Sequence, residues 1–111
     1  MRTSYFAINF DHPNAVSIAL FPPKVFKGRC FPDLAPSKGL LNKYKRKEIT
    51  ERQYTMEYIR TVLDKLDPKE TYNKLGKDAV LLCYERAGEF CHRQLVATWF
   101  DIWLKVKVTE I

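Results

Sequence analysis

The sequence predicts an α/β fold: a single three-layer domain over residues 1–111, with a mostly parallel sheet of about four strands flanked by helices. Three observations predict it. Ala79–Tyr84 (AVLLCY) is apolar almost throughout, as expected of a central strand covered on both faces. Glu89–Leu104 then sets Cys91, Leu95, Val96, Trp99, Ile102 and Trp103 at helical spacing, and Val106–Ile111 (VKVTEI) alternates like an edge or penultimate strand. Together they make a strand–helix–strand unit of the right-handed crossover kind. At 111 residues there is enough chain for one buried core and not for two.

The remaining elements follow in order. Ser4–Asn9 (SYFAIN) and Ala15–Phe21 (AVSIALF) are rich in apolar and aromatic residues and predict strands. The intervening NFDHPN is short for a parallel crossover, so the two strands either pair as an antiparallel hairpin or the first reaches the sheet by another route. PPKVFKGRCFPDLAPS is a long Pro-punctuated loop whose Val25, Phe26, Phe31 and Leu34 should hold it on the body of the domain. Gly39–Lys47 predicts a short helix. Thr50 and Gln53 form a capping box that opens a stronger one, with Tyr54, Tyr58, Ile59, Val62, Leu63 and Leu66 as its apolar stripe. Asp67-Pro68 ends it and starts a further short helix, which Gly76 closes.

Composition limits the function classes. The hydrophobic fraction is 46% and the charged fraction 29%, ordinary for a globular domain. Met1–Phe10 has one basic residue and only a short apolar run, unlike a signal peptide, and no segment nears the ~20 apolar residues of a membrane span. No membrane partner is expected, and the cytoplasm is the expected location. The three cysteines, Cys30, Cys83 and Cys91, are therefore expected as reduced thiols. A net charge of +6 favours an anionic partner, a phosphate, nucleotide or nucleic acid, although Lys38–Arg46 and Lys65–Lys77 read mainly as a dispersed solvated surface.

Chemistry concentrates in Leu81–Arg93, LLCYERAGEFCHR. In open α/β sheets, ligands bind beyond the carboxyl ends of strands, where helix amino termini attract anions. Arg93 would hold the anion in bidentate fashion. Cys91, in the first helical turn, would be a thiolate nucleophile, and Glu85 or His92 would handle protons. Cys83 would add a ligand contact, although a small residue in an apolar strand is more often core. From the Pro-rich loop, Phe21 would offer a ring face while Lys27 and Arg29 would supply cations, the interleaving that stacks a base and holds its phosphate. Zinc is disfavoured. Cys83, Cys91 and His92, with Cys30, match no paired C-x-x-C spacing, and adjacent ligands on one helix diverge by about a hundred degrees. Phosphate-loop, dinucleotide, GxSxG and HExxH motifs are all missing.

LLCYERAGEFCHRQLVATW resembles the cysteine- and CHR-bearing signature of the domain of unknown function 488 family. SIALFPPKVFKG and LAPSKGLLNKYKRKEITERQYTMEYIRTVLDKLDP are similar to its compact branch. The resemblance implies a small α/β domain with a site at Cys83, Glu85, Cys91, His92 and Arg93. The combined expectation is a domain that binds, and as an enzyme would process, a phosphorylated small molecule such as a nucleotide or nucleotide sugar. Enzyme and pure binder both stay open, as do a nucleic-acid-binding module and a viral-type protein that sequesters a nucleotide signal. The cofactor is left open.

Overall fold

The computed structural model describes residues 1–111. Five strands form one all-parallel sheet: β1 (Arg2–Tyr5), β2 (Ala15–Ser17), β3 (Arg29–Cys30), β4 (Val80–Cys83) and β5 (Thr109–Glu110), in the order β3-β2-β4-β1-β5. The helices are α1 (Phe6–Asn9), α2 (Lys38–Lys45), α3 (Glu51–Thr61), α4 (Pro68–Leu75) and α5 (His92–Leu104). The expected α/β class and parallel sheet are found. One more strand is present than expected, because Arg29–Cys30 of the Pro-rich segment pairs with β2.

No hairpin forms between the first two strands. Both run parallel to β4, which lies between them, with Arg2 and Ala15 opposite Val80 from either side. The first strand ends at Tyr5, where Phe6–Asn9 turns helical and carries the chain over β4 to its other flank. Backbone pairing on both sides and cover on both faces explain why β4 is buried at every position.

Alternation along β4 divides the core. Ala79 and Leu81 join the larger cluster, with Val16, Ile18, Tyr58, Val96, Trp99 and Phe100. Val80 and Leu82 face the other way, onto Phe6, Ala15 and Ala19, with Phe26 packed against them. The second outer layer is thus thin, made of α1 and the Pro-rich segment. On α5, Phe100 is fully buried while Ile102 and Trp103 are exposed at 62% and 66%, so the core stripe turns away from the two residues assigned to it by spacing.

The local signals act as expected. Both halves of the Thr50–Gln53 capping box are made. Asp67 accepts from the Glu70 amide with Pro68 at the first helical position, and Gly76 ends α4 at φ +92°. That conformation suits a residue without Cβ. No helix is long and apolar enough to cross a membrane.

Candidate functional site

A cleft of about 590 Å³ opens beyond the carboxyl ends of β2 and β4. Ala19, Leu20 and Phe21 leave β2 along one wall, and Cys83, Tyr84 and Glu85 leave β4 along another, with His92 beside them. Pro36, Leu41, Tyr44, Lys45 and Lys47 close the third side from α2 and its flanks. The Tyr84 hydroxyl donates to the Phe21 carbonyl, tying the two strand exits together.

The turn from β4 into α5 passes through Gly88 at φ +87° and the Glu89 amide's bond to the Arg86 carbonyl, then delivers Cys91 in extended backbone, φ −154°, as the residue before the helix. Cys91 is therefore not on the helix. Its side chain turns back to the end of β4, where its sulfur is joined to that of Cys83 in a disulfide, with Cα atoms 7.5 Å apart. This corrects the expectation of three separate thiols, because the extended backbone brings together two sulfurs that helical geometry would have parted. Cys30 remains free and exposed.

His92 is buried. Its Nε2 lies 2.8 Å from the Ile18 carbonyl and its Nδ1 3.7 Å from the Cys91 sulfur. A carbonyl only accepts, so Nε2 carries the proton and Nδ1 presents its lone pair to the sulfurs. Burial disfavours the imidazolium and, with the Arg93 charge, outweighs the Ile18 bond, holding the ring's pKa down at about 4. Glu85 is half-buried. Burial pushes its carboxyl up against the opposing pull of a backbone hydrogen bond, Arg93 and Lys45.

Arg93 does not face the cleft. It is 0% exposed, donating from Nε and Nη2 to the two Glu110 carboxylate oxygens at 3.0 and 2.9 Å. Its Nη1 reaches the Glu85 carbonyl at 2.7 Å and the Cys83 sulfur at 3.0 Å, and the Tyr5 ring lies 5.8 Å away. Four of the five guanidinium donors are thus engaged inside the protein, and Arg93 backs the sulfur pair instead of presenting charge to a ligand.

The other expected residues divide. Phe21 lines the cleft. Cys83 and Cys91 are both buried, at 1% and 2% exposed, and of the two only Cys83 borders the cleft. Arg29 is at the opposite, amino-terminal edge of the sheet, donating to the Lys74 and Leu75 carbonyls at the end of α4. The reason is register: Arg29 starts β3 opposite Val16, so its side chain meets the carbonyl end of the helix feeding β4. Lys27 is exposed two residues before that strand and is not on the cleft wall.

Lys45 and Lys47 are the cations the cleft does contain; Lys45 was expected on a solvated surface and Lys47 only at the end of a short helix. Their signal is the run KYKRK at 43–47, the last turn of the expected helix Gly39–Lys47; in the structure the helix ends at Lys45 and Lys47 takes the left-handed region at φ +59°. Glu110 was also missed.

With the site in view, comparison with known families is decisive. The model of the active DUF488-N3 subclade matches residues 12–104. The chain belongs to the DUF488 family. The matched span begins before β2 and runs to the last residue of α5, so this DUF488 domain holds every cleft residue within it. No curated protein and no solved structure matches the chain.

Proposed function

We propose that the cleft binds a phosphorylated small molecule of the nucleotide class and that its Cys83–Glu85–His92 side acts on it. One observation carries the reading: two lysines stand across a single cleft from a sulfur–imidazole centre and a carboxyl raised by burial. Lys45 and Lys47 supply the charge for a phosphate, the role first assigned to Arg93, Lys27 and Arg29. Phe21, Tyr44 and Tyr84 offer ring faces for a base. Glu85 keeps its proton closer to neutral pH than an ordinary carboxylate, which suits transfer to or from a bound ligand. Cys83, not Cys91, is the sulfur that meets the ligand. The volume lies within the roughly 300–1,000 Å³ of small-molecule sites. The subclade's description as active supports turnover over sequestration.

Titration calorimetry with nucleoside mono- and diphosphates tests the binding. Each lysine–phosphate contact is a charge-assisted bond of about 1.5–3 kcal/mol, so the double variant Lys45→Ala, Lys47→Ala is expected to bind at least tenfold more weakly. Unchanged affinity removes the proposed anion site. Glu85→Gln is expected to lower turnover about 10²–10⁴-fold with affinity retained. Ligand recovered chemically unchanged from the native protein marks a binder without turnover.

A further inference from the structure

We infer that the reduced protein binds one zinc ion through Cys83 Sγ, Cys91 Sγ and His92 Nδ1, with the fourth coordination position open to the cleft. The inference names the chemistry of the centre proposed above, and rests on that reading only for the use made of the open position.

The three donor atoms lie within 4.8 Å of one another, and all three residues are buried. Tetrahedral zinc with bonds of about 2.3 Å to sulfur and about 2.0 Å to nitrogen needs a sulfur–nitrogen edge of about 3.6 Å. Cys91 Sγ and His92 Nδ1 are already 3.7 Å apart. The objection that neighbouring ligands on a helix diverge does not apply, because Cys91 precedes the helix in extended backbone and its sulfur turns back towards the imidazole. The Cα atoms of Cys83 and Cys91, 7.5 Å apart, stand wider than the usual disulfide span of about 4.4–6.8 Å. Reduced sulfurs on that frame have room to separate around an ion.

The surroundings are those of a metal site. Metal-ligating histidines characteristically donate the remote ring N–H to a carbonyl or carboxylate, which fixes the tautomer and aims the lone pair. His92 does so, through Nε2 to the Ile18 carbonyl at 2.8 Å. Arg93 Nη1, 3.0 Å from Cys83 Sγ, donates to that sulfur as a thiolate. Two thiolates cancel the charge of Zn²⁺, and Glu110 cancels that of Arg93, so the buried centre is neutral. Two thiolates and an imidazole suit zinc among the common divalent ions. Three protein ligands with an open fourth position is the catalytic arrangement, which holds and activates a water. Cys83 and His92 both line the cleft, and Glu85 lines the same cleft.

The test uses the full chain, purified under reducing conditions without added metal. Native mass spectrometry and elemental analysis are expected to give one zinc per chain. Cobalt exchanged into the site should show a thiolate-to-metal charge-transfer band. Cys30→Ser should retain the ion, and Cys91→Ser should lose both the ion and the band. Protein recovered with the Cys83–Cys91 disulfide is to be reduced and offered equimolar zinc, and uptake supports the site. Reduced, folded protein that takes up neither zinc nor cobalt overturns it. Nucleotide titration of the loaded and chelated forms separates the two readings. Nucleotide binding without metal uptake sinks the zinc site alone, and metal uptake without nucleotide binding sinks the ligand assignment alone.

Discussion

A single, half-buried ion pair ties the start of α5 to the edge strand β5. Arg93 is sealed behind the cleft, and Glu110 is the only carboxylate it meets. Thr3 adds a 2.6 Å hydrogen bond to the same carboxylate. Burial works against the Glu110 charge, but the bonds from Arg93 and Thr3 and the Arg93 charge outweigh it and hold the carboxyl below its ordinary range. A depressed carboxylate contributes stability above its unfolded pKa, near 4.3, and that contribution is lost as pH falls through the folded value. Denaturant midpoints should therefore fall below about pH 4.3, as the native protein is forced to take up this proton. Glu110→Gln leaves a buried guanidinium without its counter-charge, at a cost of about 2–4 kcal/mol after allowance for the partial exposure of Glu110. Part of the acid limb should disappear in that variant. Equal midpoints at neutral pH would show that Arg93 does not depend on Glu110.

At the level of elements, the helix ends decide where side chains point. Gly76 closes α4 with φ +92° and ψ 145°, a backbone region nearly exclusive to glycine, so that the chain can turn directly into β4. A Cβ built there meets nothing within 4 Å, so the whole cost of Gly76→Ala is conformational. Loss of about 1–3 kcal/mol is expected in chemical denaturation, with β4 and hence the cleft wall loosened. A stability equal to that of the native chain would locate the α4–β4 turn elsewhere. The amino end of α5 shows the opposite device. Cys91 lacks a side-chain capping bond, and its extended backbone puts the thiol towards β4 instead. Starting the helix at His92, three residues beyond the expected Glu89, changes which way a cysteine faces, and so changes its chemistry.

For the molecule as a whole, the sheet is an uneven sandwich. One face carries most of the core, and the other is covered only by α1 and residues such as Phe26 from the Pro-rich segment. The middle strand β4 is hydrogen-bonded on both sides, whereas β3 and β5 each pair along one side and over two residues. Local opening follows the density of such contacts. Amide hydrogen exchange should be slowest in Val80–Cys83 and faster at Arg29–Cys30 and Thr109–Glu110. Comparable protection across the sheet would mean that it opens only as one unit.

Residue patterns alone determined the α/β class, the parallel central strand and the capping box at Thr50, and they singled out the β4–α5 turn as the candidate site. These depend on periodicity and on bonds between residues a few positions apart, which the chain order contains directly. Cys83, Glu85, Cys91 and His92 were found for the same reason, since they lie within one short stretch. The tertiary structure decided what each would face. Arg93 looked like an anion binder until β5 brought Glu110 to it, and Arg29 until strand register set it at the far edge. Lys45 looked like solvated surface until α2 folded over the strand ends. Charge pairing and cleft walls arise from contacts between segments distant in sequence, and no local pattern carries the energy of those contacts.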